Sequence, residues 1–575
     1  MGNSLKQLPY GVSDFIRVRA QGYYYVDKTE YLAKMEEVAS FLFFIRPRRF
    51  GKSLFISMMR AYYDKAMASR FSEIFGDLWI GSHPTQWQGK FQVLYFDFSR
   101  VGGDMDTLEE VFNDYCCDRL DDFMKRYAAD YPDDDRMEIL AASNVRNKLN
   151  ALNSAAQRCG NHLYLIIDEY DNFTNIILNQ QGEEVYHAIT HADGFYRDIF
   201  KLFKGMFERI FLTGVSPVTL DDLTSGFNIA MNISTEYDFN NVLGFTTDDV
   251  RAMVAYYKEA GKLPADRSVD DIVEEMRPWY DNYCFSKRSI KDKNRVFNPD
   301  MALRYLSYYV RNGIPPEEML DQNTKTDYKK MRRLLQLDAL QGDRKGVLRK
   351  ITEEGQIESS IVESFPASSL TDPEMFISLL FYYGMLTIKT AYGDILQLAI
   401  PNNNVRKQYY DYLLEQYKPV SEIAQYELQK YFNEMAYEGS WQKALGCIGQ
   451  AYDRLSSVRD SIEGERNLQG FFLAYLNLTN LYLTAPEVEV AHGYCDFFLM
   501  PDLRRYDVRH SYILELKYLP KKDFAAQSAA QWAEAVVQIG HYAEAPRVAQ
   551  MTAGTQLHKI VMQFEGWTLR RMEEV

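Results

Sequence analysis

The sequence predicts an α/β protein of several domains, and three observations lead to that prediction. A chain of 575 residues is too long to bury a single hydrophobic core. Short apolar runs alternate with helical stretches from about residue 40 to 235, which is typical of a parallel sheet covered by helices. The last hundred-odd residues read as a helix, three strands, a helix and a strand. We therefore expect a parallel sheet, a mainly helical middle region and a C-terminal α/β domain.

The composition is that of an ordinary folded protein, with 46% hydrophobic, 14% aromatic and 25% charged residues. The formal net charge of −15 argues against a generally basic, nucleic-acid-binding surface, although a local basic groove remains compatible with it. The six cysteines show no CxxC spacing and the eight histidines form no HExxH motif, so neither a disulfide framework nor a zinc site is expected.

The sequence gives no sign of membrane insertion. Its first residues contain no apolar signal-peptide core, and no stretch approaches the roughly 18 consecutive apolar residues that a membrane span needs. We expect a cytoplasmic protein without a membrane partner.

The first strand, SFLFFI, runs directly into the segment Arg46-Pro47-Arg48-Arg49-Phe50-Gly51-Lys52-Ser53. A P-loop has the pattern G-x-x-x-x-G-K-[ST] between a strand and a helix, because backbone N–H groups must surround the phosphates. Arg46 replaces the first glycine, and the alternative is a basic turn that happens to contain Gly-Lys-Ser. The residues expected to bind ATP here are Arg49, Phe50, Gly51, Lys52, Ser53 and Leu54, with Lys52 on the terminal phosphates and Ser53 on Mg²⁺.

A second acidic motif supports this interpretation. The apolar strand LYLIIDEY ends in Asp168 and Glu169, where an ATPase carries its Mg²⁺-associated carboxylate and its water-polarising carboxylate. Such residues are also common in plain solvated loops. The next strand, RIFLTGVS, places Thr213 where it could sense the γ-phosphate, or where it is merely a hydroxyl at a strand end.

Residues 374–400 predict an apolar helix, a break at Gly384 and two strands joined by a turn at Tyr392-Gly393-Asp394. This order of elements suggests a winged-helix module. Upstream of it, Thr246 is expected to cap a helix that opens the helical region.

Near the C-terminus, the strand period places Glu515 and Lys517 on one face of the segment YILELK. The preceding strand brings Asp496 near them if the two strands form a hairpin around Arg504 and Arg505. Asp496 and Glu515 could then hold Mg²⁺ while Lys517 orients water or neutralises developing charge. A D…ExK pattern alone is weak, because alternating charges are frequent on solvated strands.

Together these segments resemble a bacterial family of AAA-ATPase-like proteins with a C-terminal PD-(D/E)XK nuclease-like domain. The resemblance spans nearly the whole chain and is carried by YYYVDKTEYL, FFIRPRRFGKSLFISMM, LIIDEYDNF, FLTGVSPV, NVLGFTTDDV, WYDNYCFS, VFNPDMALRYL, SLLFYYGMLTI, GYCDFFLMPD and YILELKYL. It implies that Arg46 is ordinary in this loop and that the segment around Asp27 flanks the nucleotide base. The family is also similar to signal-transducing NTPases, whose ATPase module acts as a switch.

The resemblance further implies that Glu465 completes the metal site and that Gln538, which shares a helical face with Tyr542, supports it. Glu487 and Glu489 are further acidic candidates. Tyr494 stands where many relatives carry arginine, so the substrate phosphate need not be held in the same way. The domains expected are a P-loop ATPase-like domain (1–245), a helical lid (246–370), a winged-helix-like module with a helical linker (371–440) and a restriction-endonuclease-like domain (441–575).

The function predicted is an ATP-controlled, Mg²⁺-dependent nuclease in which Glu169 serves the ATPase and Asp496, Glu515, Lys517 and Gln538 serve phosphodiester cleavage. DNA is favoured over RNA as the partner, and assembly into a homo-oligomer is left open. One alternative is an ATP-dependent scaffold whose C-terminal domain binds without cutting. Another is a nucleotide-binding regulator without useful turnover.

Overall fold

The computed structural model describes residues 5–102, 105–172, 195–218, 230–320, 344–366, 369, 372–457, 464–490 and 493–575. The chain divides into two compact units. Unit 1 comprises Met1–Arg344 and Glu358–Asn403, and unit 2 comprises Lys345–Ile357 and Asn404–Val575. The finer domain boundaries at 245, 370 and 440 stay predictions.

Unit 1 contains a five-stranded parallel sheet formed by the apolar runs that the sequence analysis identified. Its spatial order is β2-β3-β4-β1-β5, and all four strand pairs are parallel. The strands of the middle of the sheet are buried on both faces, which is why their sequences are continuously apolar. The bounds are β1 Phe41–Ile45, β2 Phe91–Asp97, β3 His162–Asp168, β4 Arg209–Gly214 and β5 Met231–Asn232.

The helices of unit 1 begin at caps that the sequence supplies. Thr246 caps the helix Thr247–Glu259 in a reciprocal capping box with Asp249, as predicted. Asn298 caps the helix Pro299–Asn312, whose first position is a proline. The other helices with described bounds are Phe15–Ala20, Glu30–Val38, Lys52–Tyr63, Phe71–Phe75, Trp79–Ser82, Met105–Arg126, Asp133–Ala141, Val145–Cys159, Phe195–Phe203 and Val269–Tyr280.

The helix and hairpin predicted for residues 374–400 are present. The helix spans Pro373–Tyr382, and Gly384 follows it with a φ of +74°. After β6 (Gln356–Ser359), the strands β7 (Thr387–Tyr392) and β8 (Ile395–Ala399) pair antiparallel across the turn at Gly393 and Asp394. We refer to β7 and β8 as the hairpin.

Unit 2 contains a mixed five-stranded sheet in the order β13-β12-β11-β10-β9. The pair β11 and β12 is parallel and the other pairs are antiparallel. The final strand was not predicted, because its sequence TLRRMEE lies at the sheet edge and lacks the apolar run of a buried strand. The bounds are β9 Tyr482–Val490, β10 Gly493–Pro501, β11 His510–Leu519, β12 Gln556–Glu565 and β13 Thr568–Glu574.

A long helix, Lys521–Ala543, packs Trp532, Ala535 and Ile539 onto one face of this sheet, against Phe498 and Ile513. The other helices are Arg344–Glu354, Asn403–Ser421, Gln425–Glu438, Gln442–Ala451, Glu465–Leu476 and Pro546–Met551. Within the described residues, no helix is long and apolar enough to cross a membrane.

Candidate functional site

A cavity of about 890 Å³ opens in unit 1 where β1, β2 and β3 end. Gly51, Lys52, Ser53, Asp168 and Glu169 all line it, so the two motifs that are far apart in sequence meet here. A volume of this size falls in the usual range of ligand pockets, which is about 300–1,000 Å³. The carboxyl ends of parallel strands are also where open α/β sheets bind ligands.

The loop between β1 and the helix Lys52–Tyr63 needs glycine at position 51. Gly51 is the N-cap of this helix and has a φ of +94°, and a Cβ added there would meet open space. Arg49 also has a positive φ, of +66°. The helix N-terminus, with Ser53 and Leu54 in its first turn, lies on the cavity wall, where unpaired backbone N–H groups favour an anion.

Lys52 is anchored to the loop that precedes it. Its Nζ donates hydrogen bonds to the carbonyl oxygens of Arg46 (3.0 Å) and Pro47 (3.2 Å), and the residue is only 6% exposed. Burial lowers the pKa of Lys52, while Glu169 and Asp168 act in the opposite direction. A phosphate reaching this ammonium would therefore replace carbonyl contacts rather than water.

Ser53 and Asp168 form the part of the cavity that fits a magnesium ion. Ser53 Oγ donates to Asp168 Oδ2 over 2.9 Å, while no described residue donates a hydrogen bond to the buried Asp168 Oδ1. Burial, and next the charge of Glu169, raise the pKa of Asp168 to about 6. A hydroxyl oxygen beside a carboxylate with an unused oxygen suits Mg²⁺, which prefers hard oxygen ligands.

Asp97 is a site residue that the sequence analysis missed. In the parallel register of β2 and β3 it lies directly beside Asp168, and it also lines the cavity. Its Oδ1 accepts hydrogen bonds from the backbone and hydroxyl of Ser99. The signal was present, because YFDFS ends an apolar run with an aspartate just as LYLIIDEY does.

Arg46, which replaces the first glycine of the motif, is buried and does not line the cavity. It is 1% exposed and donates to the carbonyl oxygens of Ser234 (2.6 Å) and Phe239 (2.8 Å). Its guanidinium lies between the rings of Phe44 and Phe285, at 4.4 and 4.1 Å from their centroids. Burial lowers the pKa of Arg46 to about 9. Arg46 therefore anchors the loop to the segment that contains Ser234 and Phe239.

Two other predicted loop residues connect the loop to the helical region of unit 1. Arg49 Nη1 pairs with Asp300 Oδ2 at 2.9 Å, and Asp300 lies in the first turn of the helix Pro299–Asn312. Phe50 is buried against the rings of Tyr283 and Phe285. Both Arg49 and Phe50 line the cavity.

Two predicted nucleotide contacts have their side-chain polar groups occupied elsewhere. Asp27 accepts hydrogen bonds from Thr29 and from the backbone N–H of Trp79, although its neighbours Val26 and Lys28 line the cavity. The buried Thr213 hydroxyl donates to the Phe44 carbonyl oxygen of the neighbouring strand. Their roles at the nucleotide stay predictions.

A second buried aspartate supports the motif after β3. Asp171 accepts from the backbone N–H groups of Val215 (3.2 Å) and Ser216 (2.7 Å), which follow β4. The approach is so close that a Cβ on Gly214 would lie 2.2 Å from Asp171 Oδ1. Asp171 thus ties the ends of two neighbouring strands together, a long-range role that sequence gave no means to identify.

In unit 2, β10 and β11 bring Asp496 and Glu515 together as predicted. Phe497 pairs with Leu514, and Asp496 Oδ2 accepts from the Leu516 backbone N–H over 2.6 Å. Burial, and next the neighbouring Glu515, raise the pKa of Asp496 above its usual range. Glu515 is buried and Asp496 is half-buried.

Lys517 and Glu515 lie on the same face of β11. Lys517 Nζ is 2.8 Å from Glu515 Oε1, while no described residue donates a hydrogen bond to the buried Glu515 Oε2. Burial alone would lower the pKa of Lys517, but the Glu515 charge raises it overall. An unused carboxylate oxygen beside a second carboxylate fits Mg²⁺, with the ammonium placed to neutralise phosphate charge.

The helix Lys521–Ala543 supports this centre from one side. Gln538 Oε1 accepts from Lys517 Nζ (3.1 Å), and Gln538 Nε2 donates to the Tyr542 hydroxyl. The shared helical face of Gln538 and Tyr542 is therefore confirmed. Gln538 orients Lys517 through a contact that two separate sequence segments create.

The helix Glu465–Leu476 contributes a residue that the sequence analysis did not consider. Gln469 Nε2 donates to Asp496 Oδ1 over 2.7 Å. Glu465, the predicted metal ligand, is exposed in the first turn of the same helix. The spacing of four residues that relates Glu465 to Gln469 was the available signal.

The remaining acidic candidates cannot be placed within the centre. The side chains of Glu487, Glu489 and Tyr494 lie outside those that the structure describes. Among the described side chains, no three His, Cys, Asp or Glu residues are grouped as a metal cage. The described centre therefore consists of two carboxylates, a lysine and two glutamines, and Glu465 lies near enough for its charge to raise the pKa of Glu515 and of Lys517.

These two sites define a chain in which a P-loop ATPase-like domain precedes a nuclease-like domain. Residues 9–224 match the family model described as predicted AAA-ATPase, and residues 463–574 match the model of the PD-(D/E)XK nuclease superfamily. The chain thus combines the two kinds of domain that the sequence resemblance implied.

One curated relative is an uncharacterized protein in the vnfD 5' region of Azotobacter chroococcum mcd 1. It is 27% identical over 326 residues, which is 54% of this chain and 55% of the relative. The chain therefore spans about half the length of that relative. Among solved structures, Cdc6p from Pyrobaculum aerophilum aligns with 72% of this chain and 97% of its own, at 10% identity. The TM-score of 0.25 is too low to establish a shared fold.

Proposed function

We propose that this protein is an ATP-dependent switch that controls a metal-dependent phosphodiesterase acting on nucleic acid, with DNA preferred to RNA. The observation that carries the proposal is that each unit buries a carboxylate oxygen without a described donor, Asp168 Oδ1 and Glu515 Oε2. A buried carboxylate is costly unless it is paired, so these oxygens are suited to a cation. A cytoplasmic location accompanies the proposal, since the cysteines lack disulfide-type spacing.

In the proposed ATPase centre, Ser53 and Asp168 hold Mg²⁺, and the helix N-terminus at Gly51 binds phosphate. Lys52 leaves the carbonyl groups of the loop and contacts the terminal phosphates. Glu169, which lies after β3 with a φ of +54°, polarises the attacking water. The bound ion neutralises charge on the phosphates, as in other P-loop proteins.

In the proposed nuclease centre, Asp496 and Glu515 hold the metal that activates water and neutralises phosphate charge. Lys517 lies beside the attacked phosphate and stabilises its developing negative charge. The attacking water would lose a proton to solvent as its oxygen forms a bond to phosphorus, the P–O bond to the leaving nucleotide would break, and the departing oxygen would take a proton from solvent. Gln538 and Gln469 position Lys517 and Asp496, respectively.

A second candidate function is an ATP-dependent scaffold whose C-terminal domain binds nucleic acid without cutting it. The observation that favours it is the Lys517–Glu515 ion pair, which occupies one oxygen of the metal site. The absence of a three-residue metal cage among the described side chains points the same way.

Cleavage of single- and double-stranded DNA and RNA tests the proposal. The reactions contain Mg²⁺ or Mn²⁺, with and without ATP, and compare the wild type with Glu515→Gln, Lys52→Ala and Glu169→Gln. We expect Glu515→Gln to abolish cleavage while ATP hydrolysis continues. We expect Lys52→Ala to remove ATP binding and thereby the effect of ATP on cleavage, and Glu169→Gln to keep binding but lose hydrolysis.

Matched controls separate these effects from unfolding. Glu573→Gln removes an exposed carboxylate from β13 of the same sheet, and Lys90→Ala removes an exposed lysine from unit 1. Both controls should behave as the wild type. Nucleic-acid binding without cleavage under every metal condition, together with ATP hydrolysis, would favour the scaffold.

A further inference from the structure

A basic surface lies on unit 1, beside the hairpin, in a chain whose formal net charge is −15. It consists of Lys287, Arg288, Lys291 and Lys293 on the loop 287–295, and of Lys389 on β7, all exposed. We call this set the basic surface. Asp292 and Asp394 are the carboxylates among these segments. Asp394 pairs with Lys287, whereas Asp292 accepts a hydrogen bond from the neutral Tyr237 hydroxyl and keeps its charge, so the five cations still outnumber the carboxylates.

The loop and the hairpin are held against each other by specific contacts. Arg295 donates to the carbonyl oxygens of Ile388 (3.3 Å) and Lys389 (3.4 Å). The Cys284 backbone N–H donates to Thr387 Oγ1 over 2.8 Å, and the Ile388 N–H donates back to the Cys284 carbonyl. The cations of the two segments therefore belong to one surface.

The loop 287–295 is also held by hydrogen bonds to neighbouring segments, so the backbone that carries the exposed cations is ordered. Asn294 is held by the side chains of Asn240 and Asn241, and its backbone N–H donates to the Ser289 carbonyl. Ser289 is fully buried. In contrast, no described residue pairs with the side chains of Arg288, Lys291 or Lys293. Their charges are available to an external partner.

The turn of the hairpin presents apolar surface next to these charges. Tyr392 is 72% exposed and Ile395 is 56% exposed, and the two residues face each other across the turn. An exposed tyrosine among lysines suits a duplex groove, because its ring can pack against a thymine methyl group and its hydroxyl can hydrogen-bond to base edges. An acidic protein partner would account for the cations but not for the exposed Tyr392 and Ile395 beside them.

We propose that the basic surface and the hairpin turn bind duplex DNA. The cations contact backbone phosphates. Because β8 also pairs with β6 in a three-stranded sheet, it is the turn of the hairpin that enters the major groove, which in B-form DNA admits a β-ribbon. The deep, narrow major groove of A-form RNA excludes such a ribbon. This DNA-binding role is separate from the nuclease centre. It rests on the proposed function only in taking nucleic acid as the partner.

Salt dependence of binding tests the proposal without requiring cleavage. Binding of full-length protein to a labelled DNA duplex is measured in EDTA, comparing the wild type with Lys291→Gln/Lys293→Gln. Each lost phosphate contact lowers the slope of log affinity against log salt by about 0.9, so the double variant should lose about 1.8. Between about 50 and 200 mM salt, its affinity should therefore fall about tenfold less than that of the wild type.

A matched control removes the same charge elsewhere. Lys90→Gln/Lys262→Gln neutralises two exposed lysines in other loops of unit 1 and should leave the slope unchanged. Tyr392→Ala should weaken binding severalfold at constant slope, because it removes a non-ionic contact. ATP binding and thermal unfolding of each variant report that unit 1 remains folded.

The outcomes are distinct from those of the nuclease test. A slope and affinity of Lys291→Gln/Lys293→Gln equal to those of the control variant would overturn the assignment of this surface. An equal loss of binding to single-stranded DNA or duplex RNA would overturn the choice of duplex DNA. If the protein does not cleave nucleic acid but Lys291→Gln/Lys293→Gln shows the expected smaller salt dependence of binding, the basic surface would be supported. That result would count only against the nuclease centre.

Discussion

At the scale of single residues, both sites use the same electrostatic arrangement. Asp168 lies beside Glu169, and Asp496 lies beside Glu515, each pair at the end or on the face of a buried strand. Burial raises the pKa of Asp168 and of Asp496, because ionisation is unfavourable away from water. Burying each pair of carboxylates is therefore unfavourable, and a bound cation would offset that free-energy cost.

The first prediction concerns Asp168 in protein free of metal and nucleotide. The pKa of Asp168 is about 6 in the folded chain, against about 3.9 when unfolded. Between these values the folded state retains a proton that the unfolded state has released, so this residue makes stability fall as pH rises. Asp168→Asn removes that contribution, which amounts to at most about 3 kcal/mol. It should equal the wild type in melting temperature near pH 4 and exceed it above pH 6.

Thermal unfolding in EDTA across this range provides the measurement. Asn keeps an oxygen that can accept from Ser53, so packing is preserved and the comparison isolates charge. Melting curves of the two proteins that run parallel from pH 4 to 7 would contradict the assigned pKa.

The second prediction concerns Gln469, which positions Asp496. Its hydrogen bond favours the ionised carboxylate and so opposes the rise of the Asp496 pKa. Gln469→Leu should raise the Mg²⁺ concentration needed for half-maximal cleavage by about 10–100-fold, the usual effect of removing a partner behind a metal ligand. The maximal rate at saturating Mn²⁺ should change much less.

Rescue distinguishes positioning from simple packing in this experiment. Gln469→His retains a donor at the same position and should recover most of the Mg²⁺ affinity. A loss of maximal rate without any change in metal dependence would mean that Gln469 does not act through Asp496.

At the scale of elements, the sequence predicted those features that local chemistry determines. Four strands of the parallel sheet were found because their buried sequences are continuously apolar, and the short, partly exposed β5 was found within the apolar segment FNIAMNIS. The cap at Thr246 and the hairpin turn at Gly393 were found because both depend on particular side chains at fixed positions. The strand β13 was missed because an edge strand needs no apolar run.

The sites were predictable to the same extent. The loop around Gly51 and the D…ExK pattern are local motifs and were found. Asp97 and Gln469 act through residues distant in sequence, so only the strand register and the helix packing reveal them. The sequence identified Arg46 as a departure from the motif that the family resemblance makes ordinary, but it did not reveal its structural role, because its carbonyl partners lie about 190 residues away along the chain.

The third prediction concerns the backbone of the phosphate loop. Gly51→Ala and Gly160→Ala both place a side chain at a positive φ in open space, at +94° and +66°. Each should lose about 1 kcal/mol of stability through backbone strain. Only Gly51→Ala should also weaken ATP binding, because rotating this peptide removes an N–H from the phosphate.

The size of that effect follows from the hydrogen bond. A bond to a charged group contributes about 1.5–3 kcal/mol, so ATP affinity should fall by roughly 10–150-fold in Gly51→Ala. Gly160→Ala, at the end of the helix Val145–Cys159, is the control for strain alone. Calorimetric titration with ATP and thermal unfolding give both quantities, and equal ATP affinities in the two variants would refute the role of Gly51.

At the scale of the whole molecule, the chain passes between the two units three times, at residues 344, 357 and 403. Unit 1 holds the cavity lined by Lys52 and Asp168 and the basic surface, while unit 2 holds Asp496 and Glu515. A switch requires that nucleotide in unit 1 alter the affinity for DNA or its cleavage. For binding, this effect is a coupling free energy between ATP and DNA. It can be measured as the change in affinity of either ligand when the other is bound.

The last prediction is therefore a reciprocity. If ATP changes the affinity for duplex DNA by some factor, DNA must change the affinity for ATP by the same factor. The reason is that the total free energy of binding both ligands does not depend on the order in which they bind. We expect a factor of about 5–150, the usual range of such coupling. The variant Glu169→Gln/Glu515→Gln keeps both ligands intact in Mg²⁺, so both affinities can be measured at equilibrium. Adding Lys291→Gln/Lys293→Gln should weaken DNA binding and leave the intrinsic ATP affinity unchanged. A factor of one in both directions would mean that ATP and duplex DNA bind independently, so that any control by ATP would have to act on cleavage and not on DNA binding.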